Sequence, residues 1–430
     1  MPPNSTDLRR DALAIARAAL EGVDPRVLVH RALNATAGAT LRNFSAFHAC
    51  AVGKAAQGMR DAFADWAGGR LRDGVIATGP HPMPTWESVR TASRALQLAA
   101  SLEDGSALVI LLSGGASAMM ALPAAGLSLD EKIAAAQLML ARGLPIEEMN
   151  AVRKHLSAVK GGWLAARAGA CCTLAMSDVI GVREDDVSVI GSGPGAPDPS
   201  TFAGAAHVLR SRGLWDRVPA GVRERLARGE RGEEEETPKP GDPRLARASA
   251  FVIGSRRDAM EAARRAAEQH GYRTMVIPAP TLGEARVAGA EIVARALDHA
   301  VGGDPACVIS SGETTVHVRG SGRGGRNQEL ALAAVPALAR APRRALLVSI
   351  GTDGVDGPTD AAGALADSGS QARAIAAGLP PVDAALDAND AYGYFDRLGD
   401  LVRTGPTGTN VGDLQVVLLS PQGTQRTQRD

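Results

Sequence analysis

Short, almost wholly apolar segments alternate with amphipathic segments along the entire chain. The apolar runs predict strands at 46–52, 74–78, 107–112, 171–176, 249–254, 273–278, 306–310, 314–318, 345–350 and 414–419. Helical periodicity occupies much of the remainder, for example at 128–142, 256–270, 283–300 and 326–340. Near-continuous apolar strands are typical of mostly parallel sheets that are buried on both faces. We therefore predict an α/β fold in which helices flank the sheets.

One charged segment interrupts this alternation. Residues 228–243 read RGERGEEEETPKPGDP and have no apolar period, which is typical of a linker or an exposed loop. A chain of 430 residues also exceeds what one compact core usually holds. We predict two α/β domains, a Rossmann-like one at 1–235 and a second at 240–430, each with a mostly parallel or mixed sheet.

Composition and charge narrow the class of partner. Lys+Arg and Asp+Glu both total 47, so no overall basic field indicates a nucleic acid or an anionic membrane. The aromatic content of 3% is too low for a base-stacking surface, and no apolar run is long enough to span a bilayer. Cysteines without CxxC spacing and an amino-terminal helix that contains acids, unlike a signal peptide, favour a reducing compartment. We expect a cytoplasmic protein that acts on small molecules.

Lysine is rare, and its positions are informative. It occurs only at 54, 132, 154, 160 and 239, whereas every other Lys/Arg position is arginine. The lysines that remain are candidates for places that need a compact ammonium group with three donors. Lys54 follows a predicted strand and Gly53 and opens a helix, so it could reach an anion bound at that helix start. The alternative is an exposed lysine in a first helical turn.

Polar, glycine-rich loops follow several predicted strands, where ligands of open α/β sheets bind. The sequence SGGASA at 113–118 offers a backbone nest with hydroxyl groups, although an ordinary tight turn has similar composition. Asp178 stands directly after another strand and is the best candidate for a metal ligand or a base. In the loop GTDGVDGPTDAAG, Asp353 and Asp356 supply oxygen ligands suited to Mg²⁺, or a proton acceptor, with Asx turns as the alternative.

Two further segments carry clustered polar residues. Asn150, Lys154 and Ser157 share one face of a predicted helix, with Arg153 and Lys160 near its edges; a solvated face is the usual alternative.

The second segment is a loop of glycines at 320, 322, 324 and 325 that leads into a helix beginning with Arg326. Such a loop could hold a phosphate. Arginine opposes the helix dipole at this end, so a bound anion is expected there, unless Arg326 pairs with Glu329 or another neighbour.

Nine segments, taken in order, resemble the class II glycerate 2-kinases, whose carboxy-terminal half is called the MOFRL domain. The segments are VGKAA at 52–56, HPMP at 81–84, LLSGGASA at 111–118, NAVRKHLSAVKGG at 150–162, SDVIG at 177–181, GSGPGAPD at 191–198, SGETTVHVRGSGRGGRNQE at 311–329, GTDGVDGPTDAAG at 351–363 and TGPTGTNVGDL at 404–414. The likeness extends from about residue 10 to about residue 420. Each segment is modest alone, whereas nine in one order are highly specific.

The resemblance implies a two-domain α/β fold with the active site in the interdomain cleft. It also implies ATP- and Mg²⁺-dependent phosphorylation of the 2-hydroxyl of glycerate, giving 2-phosphoglycerate and ADP. Lys54 and Arg326 match the catalytic cations of such enzymes, and Asp178 is a further catalytic candidate. We expect substrate or phosphate contacts from Ser113, Gly114, Gly115, Ser117, Asn150, Arg153, Lys154, Ser157, Lys160, Gly324, Gly325, Asn327, Thr407 and Asn410. The expected metal ligands are Asp178, Asp353 and Asp356.

Three positions depart from the family pattern. Ala116 replaces a glycine, Val182 replaces an aspartate that could contact a metal, and Gly195 replaces a threonine near the substrate loop. These departures bear on substrate preference more than on the type of reaction.

Two other functions stay open. An NAD(P)-dependent hydroxypyruvate reductase is suggested by the G-x-G-x-x-G spacing, but the acid expected about 20 residues further on is missing. The other is a non-catalytic regulator that binds a nucleotide or a sugar acid. Such a protein would keep the phosphate-binding loops but would not need so many acidic and basic residues at the strand ends.

Overall fold

The computed structural model describes residues 5–79, 83–181, 183–184, 186–300 and 303–421. Its chain forms two compact units. The parallel-sheet unit comprises Pro25–Val179 and Arg183–Gly254, and the mixed-sheet unit comprises Met1–Asp24, Ile180–Val182 and Ser255–Asp430.

Strands and helices alternate through most of the described chain. The strands are β1 (Ala46–Val52), β2 (Leu71–Ala77), β3 (Ser106–Leu112), β4 (Ala170–Met176), β5 (Arg247–Gly254), β6 (Arg273–Val276), β7 (Ala306–Gly312), β8 (Ala345–Gly351), β9 (Gly363–Asp367), β10 (Leu401–Val402) and β11 (Asp413–Leu419). The helices are α1 (Ser5–Gly22), α2 (Pro25–Leu33), α3 (Thr36–Leu41), α4 (Ala56–Ala67), α5 (Trp86–Ala100), α6 (Ala116–Met119), α7 (Leu129–Ala141), α8 (Ile146–His155), α9 (Trp163–Ala168), α10 (Phe202–Ser211), α11 (Ala220–Glu230), α12 (Arg256–Gln269), α13 (Ala285–His299), α14 (Arg326–Ala339), α15 (Ser370–Ala376), α16 (Val382–Asp387) and α17 (Ala391–Leu398). The four helices given as examples from the sequence are confirmed as α7, α12, α13 and α14.

The parallel-sheet unit has the doubly wound architecture that its apolar strands predict. Its described strands form one sheet in the order β2-β1-β3-β4-β5, and all of the pairings are parallel. The chain leaves β1 toward β2 on one side and then returns to place β3 on the other side. This reversal is the topological switch point of a flavodoxin-like sheet, where ligands bind outside the carboxyl ends of the strands.

The mixed-sheet unit differs from the expectation of mostly parallel strands. Its described strands lie in the order β10-β9-β8-β11-β7-β6, and among these pairings only the one between β6 and β7 is parallel. β7, β8 and β11 are buried along their whole length, and α1, α12, α13 and α14 pack on the sheet. Burial on both faces produces continuous apolar runs whatever the strand direction. The mixed sheet that we gave as the alternative is therefore the one present.

The strand predicted at 314–318 is wrong. This segment is an extended loop that forms only one isolated bridge, between Thr315 and Glu284. Its alternating residues resemble a strand, but its backbone pairs with the turn before α13, where the N–H of Thr315 donates to the Gly283 carbonyl at 2.8 Å.

The charged segment at 228–243 is not a linker. The Glu236 Oε1 atom accepts the backbone N–H of Phe202 at 2.8 Å, and the N–H of Asp198 donates to the Pro238 carbonyl at 2.8 Å. These hydrogen bonds hold the segment against the parallel-sheet unit, and β5, which follows it, is the last strand of that sheet. The predicted boundary at 235–240 therefore falls inside this unit, in a largely exposed loop whose charged side chains pair with near neighbours in the sequence.

The amino-terminal helix belongs to the mixed-sheet unit, although we predicted it in the first domain. The Tyr272 hydroxyl donates to Oδ2 of the buried Asp11 at 3.0 Å. A Cβ atom on Gly22 would lie 2.4 Å from the Cβ of Ala262, so α1 and α12 approach too closely there for any larger residue. The division by sequence position was wrong because this contact joins residues that lie far apart in the sequence.

Candidate active site

Two loops meet at the switch point of the parallel sheet. The backbone N–H of Lys54, in the loop after β1, donates to the Gly114 carbonyl at 2.9 Å. The N–H of Ala55 donates to the Ser113 Oγ atom at 3.0 Å. Because the ends of β1 and β3 are neighbours in the parallel sheet, these bonds hold the Lys54 loop against the 113–115 loop.

Gly53 makes this approach possible. Its φ is +115°, and a Cβ atom there would lie 2.3 Å from Ser113 Oγ and 2.5 Å from the Ser113 carbonyl oxygen. Only glycine fits both the backbone conformation and the space. The Lys54 side chain is exposed at this edge of the sheet, in the place where an anionic ligand would bind.

The loop after β3 offers backbone donors. In the part of the chain that the structure describes, the N–H groups of Gly114 and Gly115 have no acceptor. Gly115 has φ of +83° and directly precedes α6, so the chain reverses tightly here. Successive backbone N–H groups in such a turn make an anion-binding concavity.

Lys160 supports this loop from the interior. Its ammonium donates to the Ser117 carbonyl at 3.0 Å, to Ser117 Oγ at 3.2 Å and to the Gly191 carbonyl at 3.3 Å. The side chain is only 1% exposed, and burial, together with the positive charges of Lys132 and Arg153, lowers its pKa well below the usual value. Lys160 therefore fixes Ser117 rather than contacting solvent.

Ser192 joins Asn150 to the same group, and the sequence did not identify it. Its hydroxyl donates to Asn150 Oδ1 at 2.9 Å and lies 3.1 Å from Ser117 Oγ. Ser192 adopts φ of +63°, which is uncommon for a residue with a side chain and often accompanies functional sites. The only sequence signal was its position between Gly191 and Gly193.

Two residues of the predicted helix face have other partners. The Lys154 ammonium pairs with Asp198 Oδ1 at 3.1 Å, and both side chains are buried. The Ser157 hydroxyl donates to the Leu122 carbonyl at 3.1 Å. The structure therefore separates Lys154 and Ser157 from Asn150 and leaves them in structural contacts.

Arg153 is different, because it has no hydrogen bond or ion pair among the described residues. It is half-buried, and burial lowers its pKa. A half-buried guanidinium without a carboxylate is a strong candidate for an anion contact.

Asp178 lies where the sequence places it, at the carboxyl end of β4, and is half-buried.

The structure describes two of the three positions that depart from the family pattern, Ala116 and Gly195. Ala116 is buried in α6, and a Cβ atom at Gly195 would lie 1.9 Å from the Thr173 Oγ1 atom on β4. Thr173 thus occupies the space that a side chain at 195 would need. Val182 lies outside the described residues.

In the mixed-sheet unit, Arg326 forms ion pairs with two carboxylates. Its Nε donates to Asp413 Oδ2 at 2.6 Å, its Nη2 donates to Asp413 Oδ1 at 3.0 Å, and its Nη1 donates to Glu313 Oε1 at 2.8 Å. Burial alone would lower the pKa of Arg326, but the carboxylates outweigh it and raise that pKa. Arg326 thus forms salt bridges with neighbours, as one alternative from the sequence has it, and these partners are Asp413 and Glu313.

The start of α14 already holds an anion that the chain itself supplies. Asp356 Oδ1 accepts the N–H of Asn327 at 3.1 Å, and Oδ2 accepts the N–H of Gln328 at 2.8 Å. Asp356 is 2% exposed, and burial raises its pKa to about 6. These first-turn donors are the ones that we expected to bind phosphate. Asp356, expected as a metal ligand, instead caps the helix with both oxygens.

The glycine loop before α14 packs against residues 388–390. The N–H groups of Arg319 and Gly320 donate to Asn389 Oδ1 at 2.6 and 2.8 Å, and that of Gly322 donates to the Ala388 carbonyl at 2.9 Å. A Cβ atom on Gly320 would lie 2.3 Å from the same carbonyl oxygen. These glycines therefore allow close packing of one loop on another, and their donors are not directed at a dinucleotide.

The remaining site candidates of the mixed-sheet unit lie either in the loops around Asp353 and Asn410 or inside α14. The N–H of Thr407 donates to the Asp353 carbonyl at 3.2 Å, and the half-buried Asp353 side chain accepts the N–H of Val355 at 3.1 Å. Asn410 Oδ1 accepts the N–H of Gly412 at 3.5 Å. Asn327 is buried in α14, where its Oδ1 accepts the Ser349 hydroxyl at 2.6 Å.

A metal ion bound to this chain would have only one or two ligands from the described side chains. The described residues contain no group of three or more His, Cys, Asp or Glu side chains arranged to hold a metal. Mg²⁺ in phosphoryl-transfer sites is commonly held by one or two carboxylates together with substrate phosphates and water. Asp178 and Asp353, both partly exposed, fit that description better than the buried Asp356.

These features define a two-unit α/β protein with polar loops and cations at strand ends. Residues 11–227 match the family described as Domain of unknown function (DUF4147), and residues 306–413 match the MOFRL family. The chain belongs to the glycerate 2-kinase family that carries a MOFRL domain. None of the described helices has the length and apolar character needed to cross a bilayer.

Individual relatives resemble the chain over both units. A D-glycerate 2-kinase of Thermotoga maritima is 37% identical, with 96% of this chain and 98% of the relative covered. The crystal structure of a glycerate kinase from Thermotoga maritima gives a TM-score of 0.83 at 35% identity and covers 96% of this chain and 99% of that chain. An Agrobacterium vitis protein, provisionally named a hydroxypyruvate reductase, is 38% identical over 80% of this chain and 77% of its own.

Proposed function

We propose that the chain is a glycerate 2-kinase. It would transfer the γ-phosphoryl group of ATP to the 2-hydroxyl of glycerate and release 2-phosphoglycerate and ADP. The observation that carries this proposal is the similarity to a D-glycerate 2-kinase and to a solved glycerate kinase across nearly the full length of each. Both substrates are small anions, which suits a neutral chain with locally placed cations.

Phosphoryl transfer depends on positioning and on neutralising negative charge rather than on covalent chemistry of the protein. The parallel-sheet unit supports this with the exposed Lys54, and with the N–H groups of Gly114 and Gly115 and the Arg153 guanidinium, which have no partner among the residues that the structure describes. These four residues are the proposed anion contacts of that unit. Asn150, Ser117 and Lys160 would hold the loop in shape from within.

Arg326 is the proposed catalytic cation of the mixed-sheet unit. Its side chain is 35% exposed, so it reaches solvent although most of its donors are engaged. Asp178 is the proposed metal ligand or proton acceptor at the end of β4, and Asp353 is a second proposed metal ligand. A bound Mg²⁺ would neutralise charge on the nucleotide phosphates. Lys154, Ser157 and Asp356 would act on the fold, because their polar atoms are already engaged.

A hydroxypyruvate reductase is the second candidate, since one relative carries that provisional name. The G-x-G-x-x-G spacing does not support it. The N–H groups of that loop bond to residues 388–390, and the long loop between Gly312 at the end of β7 and Arg326 at the start of α14 is not the tight strand-to-helix turn that dinucleotide binding requires.

We also propose cytoplasmic action on small molecules, without a nucleic-acid or membrane partner. All four cysteines are buried and unpaired, which suits a reducing compartment.

One paired assay tests the function. Purified protein is mixed with glycerate, ATP and Mg²⁺ while ADP release is followed, and in parallel with hydroxypyruvate and NADH while NADH absorbance is followed. The kinase predicts ADP release that requires both glycerate and Mg²⁺. Loss of NADH without ADP release would establish the reductase instead, and no turnover in either mixture would favour the regulator.

A further inference from the structure

The guanidinium of Arg326 has two unlike partners on two of its edges. The edge formed by Nε and Nη2 meets Asp413 through two hydrogen bonds of 2.6 and 3.0 Å. The Nη1 edge meets Glu313 through one hydrogen bond of 2.8 Å. The Asp413 side chain is 1% exposed, whereas the Glu313 side chain is 48% exposed. One partner is therefore enclosed by the fold and the other lies in solvent.

Asp413 is held in place by the sheet. It is the first residue of β11 and stands in register between Gly312 of β7 and Gly351 of β8. Burial raises the pKa of its carboxyl, and the bidentate contact with Arg326 opposes that rise. A buried carboxylate on a central strand with two parallel N–H···O bonds fixes both the position and the plane of a guanidinium.

Glu313 lies just beyond the end of β7, in the loop that we had predicted to continue toward a strand. Its contact with Arg326 is a single exposed ion pair, and such pairs contribute little to stability. A carboxylate or phosphoryl oxygen has the same charge and acceptor geometry as the Glu313 Oε1 atom. An incoming substrate oxygen could therefore take its place on Nη1 at small cost.

We propose that Asp413 is the positioning residue for Arg326, and that Glu313 occupies the Nη1 edge until an anionic substrate oxygen replaces it. The inference rests on the proposed function, because it takes Arg326 as a catalytic cation. It adds that the Nε and Nη2 atoms stay bonded to Asp413, whereas the partner of Nη1 can be exchanged. The incoming oxygen belongs either to the glycerate carboxylate or to the phosphate chain of ATP, and the KM values of the two substrates distinguish these sources.

The first variant is Asp413→Asn, which keeps shape but removes the charge and one acceptor. We expect kcat to fall about 10²-fold, as when a catalytic group is misplaced by about 1 Å, with a smaller change in KM. The control is Asp400→Asn, since Asp400 is also a buried aspartate that receives two hydrogen bonds from a half-exposed arginine, Arg373, and it additionally pairs with Arg9. That control should lose stability to a similar extent and keep its kcat.

A double-mutant cycle separates positioning from a purely structural role. In an Arg326→Ala background, Asp413→Asn should have little further effect on kcat/KM, because the group that it positions is already missing. If the double variant instead loses kcat/KM by the product of the two single-variant factors, the two residues act independently and the proposal is overturned. So would a kcat of Asp413→Asn that stays within about 3-fold of wild type.

The second variant is Glu313→Gln, which removes the competing charge from the exposed edge. We expect KM for glycerate or for ATP to fall about 2- to 5-fold, the range that an exposed ion pair can supply, with kcat little changed. Unchanged KM values for both substrates, or higher ones, would overturn the exchange.

Calorimetric binding of inorganic phosphate to the same variants gives a readout that does not need turnover. It should be tighter in Glu313→Gln and weaker in Asp413→Asn and Arg326→Ala. Wild-type protein without glycerate-dependent ADP release would contradict the proposed function, and the phosphate series alone would then decide the inference. Equal phosphate affinity in all variants would overturn it.

Discussion

The Oδ2 atom of Asp356 lies 2.8 Å from the backbone nitrogen of Gln328 and accepts its hydrogen bond at the start of α14. A glycine-rich loop that leads into a helix commonly holds a phosphate, because the first N–H groups of the helix have no internal acceptor. Here an aspartate 28 residues further along the chain fills that role. The pattern predicted a bound phosphate at this helix start, and in the structure a carboxylate of the protein accepts these N–H groups.

Neighbouring glycines provide a test of this arrangement. A Cβ atom on Gly325 would lie 2.3 Å from Cγ and Oδ1 of Asp356, whereas one on Gly324 would meet nothing closer than Ala391 at 3.4 Å. We expect Gly325→Ala to lower the free energy of unfolding by about 1–3 kcal/mol, because the carboxylate must move away from α14. Gly324→Ala should stay within about 0.5 kcal/mol of wild type. Urea denaturation measures both, and equal effects would contradict the close contact.

Lys54 and Arg326 are the cations whose loss should affect turnover most. Replacing either by alanine should lower kcat about 10²-fold or more, the range seen when a donor to a transition state is removed. The exposed Lys54 can be removed with little change in thermal unfolding, whereas Arg326→Ala leaves the buried Asp413 carboxylate without its partner and should also lower the unfolding temperature. Arg142→Ala, an exposed cation after α7, is the matched control and should retain wild-type turnover. Turnover near wild type in both alanine variants would remove these residues from the proposed site.

Gly195 and Thr173 should be strongly coupled in stability. A Cβ atom at 195 would lie 1.9 Å from Thr173 Oγ1, so Gly195→Ala should cost about 1–3 kcal/mol through overpacking. Thr173→Ala removes the obstructing oxygen and should recover part of that cost in the double variant. Chemical denaturation of the four proteins in the cycle measures a coupling of about 0.5–3 kcal/mol. Strictly additive effects would show that the two sites do not share space.

Glu236 should stabilise the segment that the sequence presented as a linker. Burial alone would raise its pKa, but hydrogen bonds from His155, from the Phe202 N–H and from Lys239 outweigh burial and lower the pKa to about 2. Because the folded-state pKa lies below the ordinary value of 4.5, the stabilisation is fully present above pH 4.5 and is lost as pH falls through about 2.

Glu236→Gln should therefore cost about 1–2 kcal/mol near neutral pH, and the difference from wild type should narrow under acid conditions. Glu235→Gln is the control, since that more exposed side chain pairs only with Arg244 among the described residues. Urea titrations at two pH values provide the measurement. A loss for Glu236→Gln that is the same at both pH values would contradict the assigned pKa shift.

The elements that the sequence predicted well are those whose own residues determine them. β1 and the helices α7, α12, α13 and α14 were placed within a few residues, because apolar runs and helical periods are local patterns. The sequence also placed the Lys54 loop and the 113–115 loop directly after predicted strands, whereas their contact depends on the pairing of β1 with β3, which local patterns do not give.

The features that the sequence could not supply depend on partners far along the chain. Gly320 and Gly322 face residues 388–390, and Arg326 faces Asp413, although no local pattern links those positions. Strand direction in the mixed sheet was equally hidden, because a fully buried strand has the same composition in either orientation. Asp413 belongs to the segment TGPTGTNVGDL, but only the register of β11 in the folded sheet brings its carboxylate to the Arg326 guanidinium.

The pairing of α1 with α12 has a consequence for the order in which this chain can fold as it is synthesised. The apolar face of α1, which includes Leu8, Ala12 and Ile15, is synthesised well before its partner helix α12, which ends only at Gln269. A complete sheet of the other unit, β2-β1-β3-β4-β5, is made in between. The apolar face of α1 therefore stays uncovered until α12 has emerged, and the parallel-sheet unit, whose residues lie between these two helices in the sequence, can fold before the mixed-sheet unit.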